Sequence, residues 1–324
     1  MQPLSVIQPL TPAIQRTRRI LFEPFQLSRW LRLGFCAFLT GSSPMGGFGA
    51  GSPSDLFGSD SNSDSGSRAA ASLFAGAVPW ILQHQTLILS VAAIVAAVLL
   101  LLVVLLIWLS SRGHFMLLDG VVRNRGAIGA PWRQYRREAN SLFRFRIAMG
   151  LVSLLVVIAL VAMPLLLGFG GEWRAEIWTV WFMVLVFASG LALVVWILAL
   201  LLISTLLVDF VVPVMYRHRL PAWPAWKIVI RQLVLQHPGA VALYFVARFL
   251  LNSAVGIAAG MATLLSCCLA LVPYLGSVIL LPLSVFQLNY PLAFLEQLGP
   301  DWRLFPPDPP PADHLPPAAL APQA

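Results

Sequence analysis

Residues 111–146 read SRGHFMLLDGVVRNRGAIGAPWRQYRREANSLFRFR, and this stretch decides the fold. Eight arginines stand against Asp119 and Glu138, between the apolar runs 86–109 and 147–167. About 20 apolar residues in helical form cross the ~30 Å hydrocarbon core of a bilayer. Loops dense in arginine between such runs mark the cytoplasmic side. The stretch therefore orients everything around it.

The composition agrees. The chain has 324 residues, 59% of them hydrophobic and 10% charged, and its mean hydropathy is +0.82. A soluble domain carries about 25% charged residues. The net charge is +8, and Lys227 is the only lysine among 21 Lys and Arg residues. Such a balance suits nucleic acid, but here the charges sit beside apolar runs. Orientation and anionic lipid headgroups account for them there, so no nucleic-acid partner is expected. Cys36, Cys267 and Cys268 lack the spacing of a zinc or redox motif.

Outward from the basic stretch, six spans are expected, about 25–45, 86–109, 147–167, 177–208, 240–264 and 276–292. Five are clear and the first is short. Run 177–208 would measure roughly 48 Å as a straight helix, so it must tilt or protrude. Trp178 and Trp181 open it, as an aromatic belt does. Residues 41–68, rich in Gly, Ser and Asp, read as a flexible outer loop, and 69–85 as a surface helix carrying Trp80. The Pro-rich tail 300–324 reads as disordered.

A second basic loop, 209–237, holds Arg217, Arg219, Lys227 and Arg231, whereas 41–85 carries only Arg68 and 168–176 only Arg174. Both basic loops then face the cytoplasm. The N-terminal segment 1–24 and the tail face it too, giving an inner (plasma) membrane protein with both termini inside.

Each basic loop holds an amphipathic segment. In the first, Trp132, Tyr135, Ala139, Leu142 and Phe143 share a face opposite Arg133, Arg136, Arg137 and Asn140. In the second, Trp226, Val229, Ile230, Leu233 and Val234 do so. Arg123 and Arg125 before Trp132 and Arg133 match Arg217 and Arg219 before Trp226 and Lys227. Asp119-Gly-Val-Val matches Asp209-Phe-Val-Val, and Arg16-Thr-Arg before Pro24-Phe25 makes a weaker third copy. These eight Arg, Trp and Lys residues read as straps holding surface helices on lipid headgroups. Two explanations stand: an internal repeat, or the shared constraint on any cytoplasmic loop.

Few polar residues fall inside the spans. Arg248 and Asn252 share one helix face, with Asp209 and Asp119 as partners that would enclose a polar cluster. The blander reading is that Arg248 snorkels to the cytoplasmic surface, and it is favoured. Gly256 and Gly260 form a GxxxG, read as internal helix packing. No HExxH, GxSxG, P-loop or paired carboxylates stand in a catalytic context. No catalytic residue, metal ligand or cofactor is expected.

Three segments carry a resemblance: RWLRLGFCAFL from Arg29, LSSRGHFMLLD ending at Asp119, and PWRQYRREANSLF from Pro131. With DFVVPVMY from Asp209, they resemble uncharacterised bacterial multi-pass membrane proteins. More distantly the chain is similar to the membrane domain attached to some glycerophosphodiester phosphodiesterases, without their soluble catalytic domain. The resemblance implies an all-α bundle and no particular activity. The expected role is structural, scaffolding or regulatory, with anionic lipids and an unidentified protein as partners. A transporter or channel built on a cavity near Arg248 and Asn252 is the first alternative, a lipid-handling enzyme the second.

Overall fold

The computed structural model describes residues 5–23, 26–41, 84–124, 129–170, 176–266, 273–299 and 302–305. Every regular element among them is helical. In chain order they are α1 (Leu10–Phe22), α2 (Leu27–Thr40), α3 (Gln85–Val122), α4 (Gly129–Gln134), α5 (Arg136–Gly170) and α6 (Glu176–Leu206). A π turn over Leu207–Val211 leads into α7 (Val212–His218). Then come α8 (Ala222–Val229), a second π turn (Ile230–Val234), α9 (Pro238–Leu265), α10 (Pro273–Ile279) and α11 (Leu281–Leu295). The outer loop 42–68, the surface helix around Trp80, Arg125, Cys267 and Cys268 lie outside the described residues, as does the side chain of Trp178.

Four helical stretches are long and apolar enough to cross a membrane: Gln85–Val122, Arg136–Leu166, Val180–His218 and Pro238–Leu265. They are longer than the apolar runs that announced them. Nothing breaks the helix after Leu109: the Ser111 hydroxyl donates to the Ile107 carbonyl at 2.7 Å. The helix runs on to Arg123, where Asn124 turns left-handed at φ 51°, a conformation asparagine tolerates. Likewise the amphipathic face of residues 136–143 and the run 147–167 form one continuous α5, not a surface helix followed by a span.

Over the two remaining expected spans the described helices are shorter, and residues 42–45 of the first lie outside the described residues. α2 has 14 residues, about 21 Å, and stops at Gly41, which is left-handed at φ 69°. It buries Leu33, Cys36, Ala37 and Leu39 against α3 and α10. The close approach needs glycine at two points. A Cβ on Gly113 would stand 3.0 Å from Leu39 and Thr40, and one on Gly34 would stand 2.7 Å from Val278 Cγ2.

The last run is broken at Leu280 because Pro282 has no N–H to give the carbonyl four residues back. That freed carbonyl belongs to Val278, and the Trp30 indole donates to it at 2.9 Å. The break is thus satisfied by α2, the element packed beside it.

Two apolar clusters form the core, both at the end of the bundle where the basic segments join the long helices. The larger gathers Phe115, Tyr135, Leu142, Phe210, Met215, Val229, Leu233, Tyr244, Tyr290 and Phe294. The smaller joins Ile20, Leu33, Cys36, Met116, Leu117, Leu281 and Val285. Away from this end the long helices bury little. Of the most apolar eighteen-residue stretch, none is buried in Gln85–Val122 or Arg136–Leu166, 11% in Val180–His218 and 17% in Pro238–Leu265.

Two terminal segments join the core. α1 buries Ala13, Thr17, Ile20 and Leu21, and the Thr17 hydroxyl accepts a hydrogen bond from Asn289 Nδ2 at 3.0 Å. Leu304 is buried as well, so residues 302–305, expected in an extended tail, pack back onto the body.

Candidate functional site

Two carboxylates organise the packed end. Asp209 lies in the π turn. Pro213 removes the N–H that the Asp209 carbonyl would receive in an α-helix. The backbone widens there, and the Val212 N–H reaches Leu207 O, five residues back. Such single π turns recur at functional sites. This one directs Asp209 at α9. Arg248 Nε stands 3.0 Å from Oδ2, Arg248 Nη2 donates to Oδ1 at 3.1 Å, and the Tyr244 hydroxyl donates to Oδ2 at 2.8 Å.

The guanidinium has a further acceptor. Arg248 Nη1 donates to the Gln287 carbonyl at 3.1 Å. Pro291 is the residue whose missing N–H leaves that carbonyl open within α11. Arg248 is thus held by one carboxylate and by one carbonyl that a proline exposes. Phe210, Tyr244, Tyr290 and Phe294, all fully buried, wrap the pair, with Tyr244 stacked on Tyr290 at 5.6 Å. The Arg248 side chain is 14% exposed. It does not snorkel to the surface, which corrects the simpler reading of the sequence. Asn252 is exposed on α9 and accepts from Gln287 Nε2 at 3.3 Å.

Asp119, near the end of α3, is a separate hub. Its Oδ1 accepts from the Tyr216 hydroxyl at 2.9 Å and the Tyr135 hydroxyl at 3.2 Å, and Arg123 Nε stands 3.0 Å away. Phe115, Tyr135 and Tyr216 form a pile, with ring centroids 6.0 and 5.0 Å apart. Arg219 lies over the Tyr135 ring at 4.0 Å and reaches Glu138 at 3.7 Å. Burial raises the Tyr135 phenol above its ordinary value, so it stays a donor. The four residues expected in one polar cluster are therefore divided: Asp209 and Arg248 pair, Asn252 sits beside them, and Asp119 serves the other hub.

The straps divide as well. Arg123 and Arg219 turn inward to Asp119, Tyr135 and Glu138. Trp132 packs edge-on against Trp108 at 5.8 Å, and both rings face Arg112, at 4.6 and 4.3 Å. Trp226 packs against Phe145 at 5.6 Å. Arg133, Arg217 and Lys227 remain exposed, and so do Arg136, Arg137 and Arg231.

The tyrosines were missed from sequence. A signal existed: the chain has 19 Phe and only 5 Tyr. A phenol kept where phenylalanine would fit an apolar core points to a hydrogen bond. Three of the five, Tyr135, Tyr216 and Tyr244, donate to the two aspartates.

Both oxygens of Asp209 and Oδ1 of Asp119 are engaged by fixed donors. Among the described residues no group of three His, Cys, Asp or Glu side chains stands close enough to hold a metal ion.

Residues 4–299 match a family of unknown function (DUF7544), and the chain belongs to that family. No curated protein and no solved structure matches the chain.

Proposed function

We propose that the chain is a multi-pass inner-membrane protein with a structural, scaffolding or regulatory role, its packed helical body standing at the cytoplasmic face. One observation carries this reading: the long helices leave their apolar lengths uncovered, while the aromatic and ionic residues pack together at one end. Phe187 is 74% exposed, Leu166 73% and Leu265 83%. Burying such a side chain is worth about 1.5–3 kcal/mol. Leaving dozens of them in water would exceed the ~5–15 kcal/mol that holds a domain together. Lipid is the solvent that removes the conflict.

The exposed arginines support contact with anionic headgroups, each contributing about 1 kcal/mol near a charged surface. Arg133, Arg136, Arg137, Arg217 and Arg231 take this part, since Arg123 and Arg219 are spent on the body itself. Arg16 pairs with Glu296 at 2.7 Å, so α1 and the stretch after α11 meet at this body, which supports reading both termini as cytoplasmic. The dense packing around Asp209 and Arg248 favours a fixed internal tie over a solute path.

Flotation tests the reading. After an alkaline carbonate wash the protein floats with vesicles, and lowering the anionic lipid fraction changes only salt-sensitive contacts of the body. Recovery in the aqueous fraction after the wash overturns it.

A further inference from the structure

A basic groove lies apart from both hubs. It has a volume of about 750 Å³ and runs between α1 and the end of α3. Arg16, Arg18 and Arg19 line it, with Gln15 and Asn124 beside them and Glu23 as the single acid; Ile20, Val121 and Phe305 supply an apolar wall. Its volume falls within the ~300–1,000 Å³ of small-molecule sites.

Two of these arginines, Arg16 and Arg18, keep donor capacity to spare. Arg16 gives Nη2 to Glu296 and rests over the Phe305 ring at 4.4 Å, but its buried Nη1 has no hydrogen-bond partner. A buried donor left unmet costs about 1–3 kcal/mol, more when charged. Arg18 has one loose contact, Nε to Glu23 at 3.6 Å, and its side chain is 77% exposed. Phe305 and Glu296 hold Arg16 in place, so its position does not depend on a ligand. Three guanidinium groups around one opening, set against the carboxylates of Glu23 and Glu296, suit a phosphoryl group that takes forked hydrogen bonds.

We propose that this groove binds the phosphate group of an anionic ligand, with Arg16, Arg18 and Arg19 as its donors and the Phe305 wall against the ligand's body. A lipid headgroup and a free phosphorylated small molecule present the same group. The site does not rest on the membrane reading, since its walls belong to the packed body.

The test uses the full chain in dodecyl maltoside micelles, which contain no phosphate. Calorimetric titrations are run with inorganic pyrophosphate and, separately, with short-chain phosphatidylglycerol. Saturable binding of either probe is expected. Pyrophosphate alone identifies a free phosphate ligand, phosphatidylglycerol alone a headgroup, and both the shared group. Arg18→Glu, at an exposed position, is expected to weaken binding at least tenfold with an unchanged melting temperature. The double variant Gln134→Glu/Gln236→Glu alters net charge by the same two units on exposed positions away from the groove and is expected to bind as wild type. The proposal is overturned if neither probe saturates, if Arg18→Glu binds unchanged, or if the double variant weakens binding as much. A protein that stays with the bilayer in flotation yet binds neither probe loses this site and keeps the membrane reading.

Discussion

Arg248 grips Asp209 through two contacts, Nε to Oδ2 at 3.0 Å and Nη2 to Oδ1 at 3.1 Å. It ties α9 to the turn below α6 across 39 residues of sequence. With the carboxylate side chain 4% exposed, removing one partner strands a buried charge. Arg248→Leu is expected to cost about 3–5 kcal/mol, and Asp209→Leu a similar amount. The double variant should cost clearly less than the sum. Chemical denaturation in detergent reads all three; strictly additive losses would mean that the pair is not a unit.

Pro291 and Pro164 provide a second comparison. Both stand inside helices, where proline costs about 3 kcal/mol against alanine. The carbonyl that Pro291 frees, Gln287 O, already has Arg248 as a donor. Pro291→Ala brings in an N–H that competes for it. The stabilisation from Pro291→Ala should therefore be smaller than that from Pro164→Ala, as measured by melting temperature. Equal gains would remove the role assigned to the Gln287 carbonyl.

The glycines separate into two kinds. At Gly34 and Gly113 an added methyl meets α10 or α2 at 3.0 Å or less, and alanine there should cost about 1–3 kcal/mol through overpacking. A Cβ added at Gly256 or Gly260 would meet nothing within 4 Å beyond its own helix backbone. The GxxxG read as an internal packing surface is not used as one among the described residues. Gly256→Ala and Gly260→Ala should be neutral or stabilising by about 0.5–1 kcal/mol each. Thermal melts of the four single variants settle the order.

The Asp119 hub predicts coupling between the two basic segments. Tyr216→Phe and Tyr135→Phe each remove one hydrogen bond to the same oxygen and should each cost about 1 kcal/mol. The two losses should not add, because Asp119 keeps Arg123 and one phenol after either change. A double-variant denaturation series checks this, and simple additivity would show that the two phenols act independently.

Much of this was legible in the sequence, for reasons that can be named. Tyr135, Ala139 and Leu142 announced an apolar face by their spacing; it was read as lying on lipid headgroups, and all three are buried in the protein core instead. The runs 86–109, 147–167, 177–208 and 240–264 announced the four long helices by length alone. α1 was hidden because Arg16, Arg18 and Arg19 dominate its composition, although Ala13, Thr17, Ile20 and Leu21 fall on one helical face. The short reach of α2 depends on Gly41, whose left-handed turn ends it. The partner of Arg248 was not legible, because Asp119 and Asp209 stand at the ends of comparable helices and spacing cannot choose between them. The choice is made by Pro213 and its π turn, a backbone effect that hydrophobic periodicity does not carry.

The most direct measurement is cysteine labelling of the full chain in sealed vesicles, on a background lacking Cys36, Cys267 and Cys268. Single cysteines replace Gln85, Arg137, Ser189 and Arg231. An impermeant maleimide is expected to reach Gln85 from the outside, and Arg137 and Arg231 only from the cytoplasmic side. Ser189, half-buried along the apolar length of α6, should stay unlabelled from either side until the bilayer is dissolved. Ready labelling of Ser189 in intact vesicles, or labelling of Gln85 and Arg137 from one side, would contradict a bilayer around the long helices.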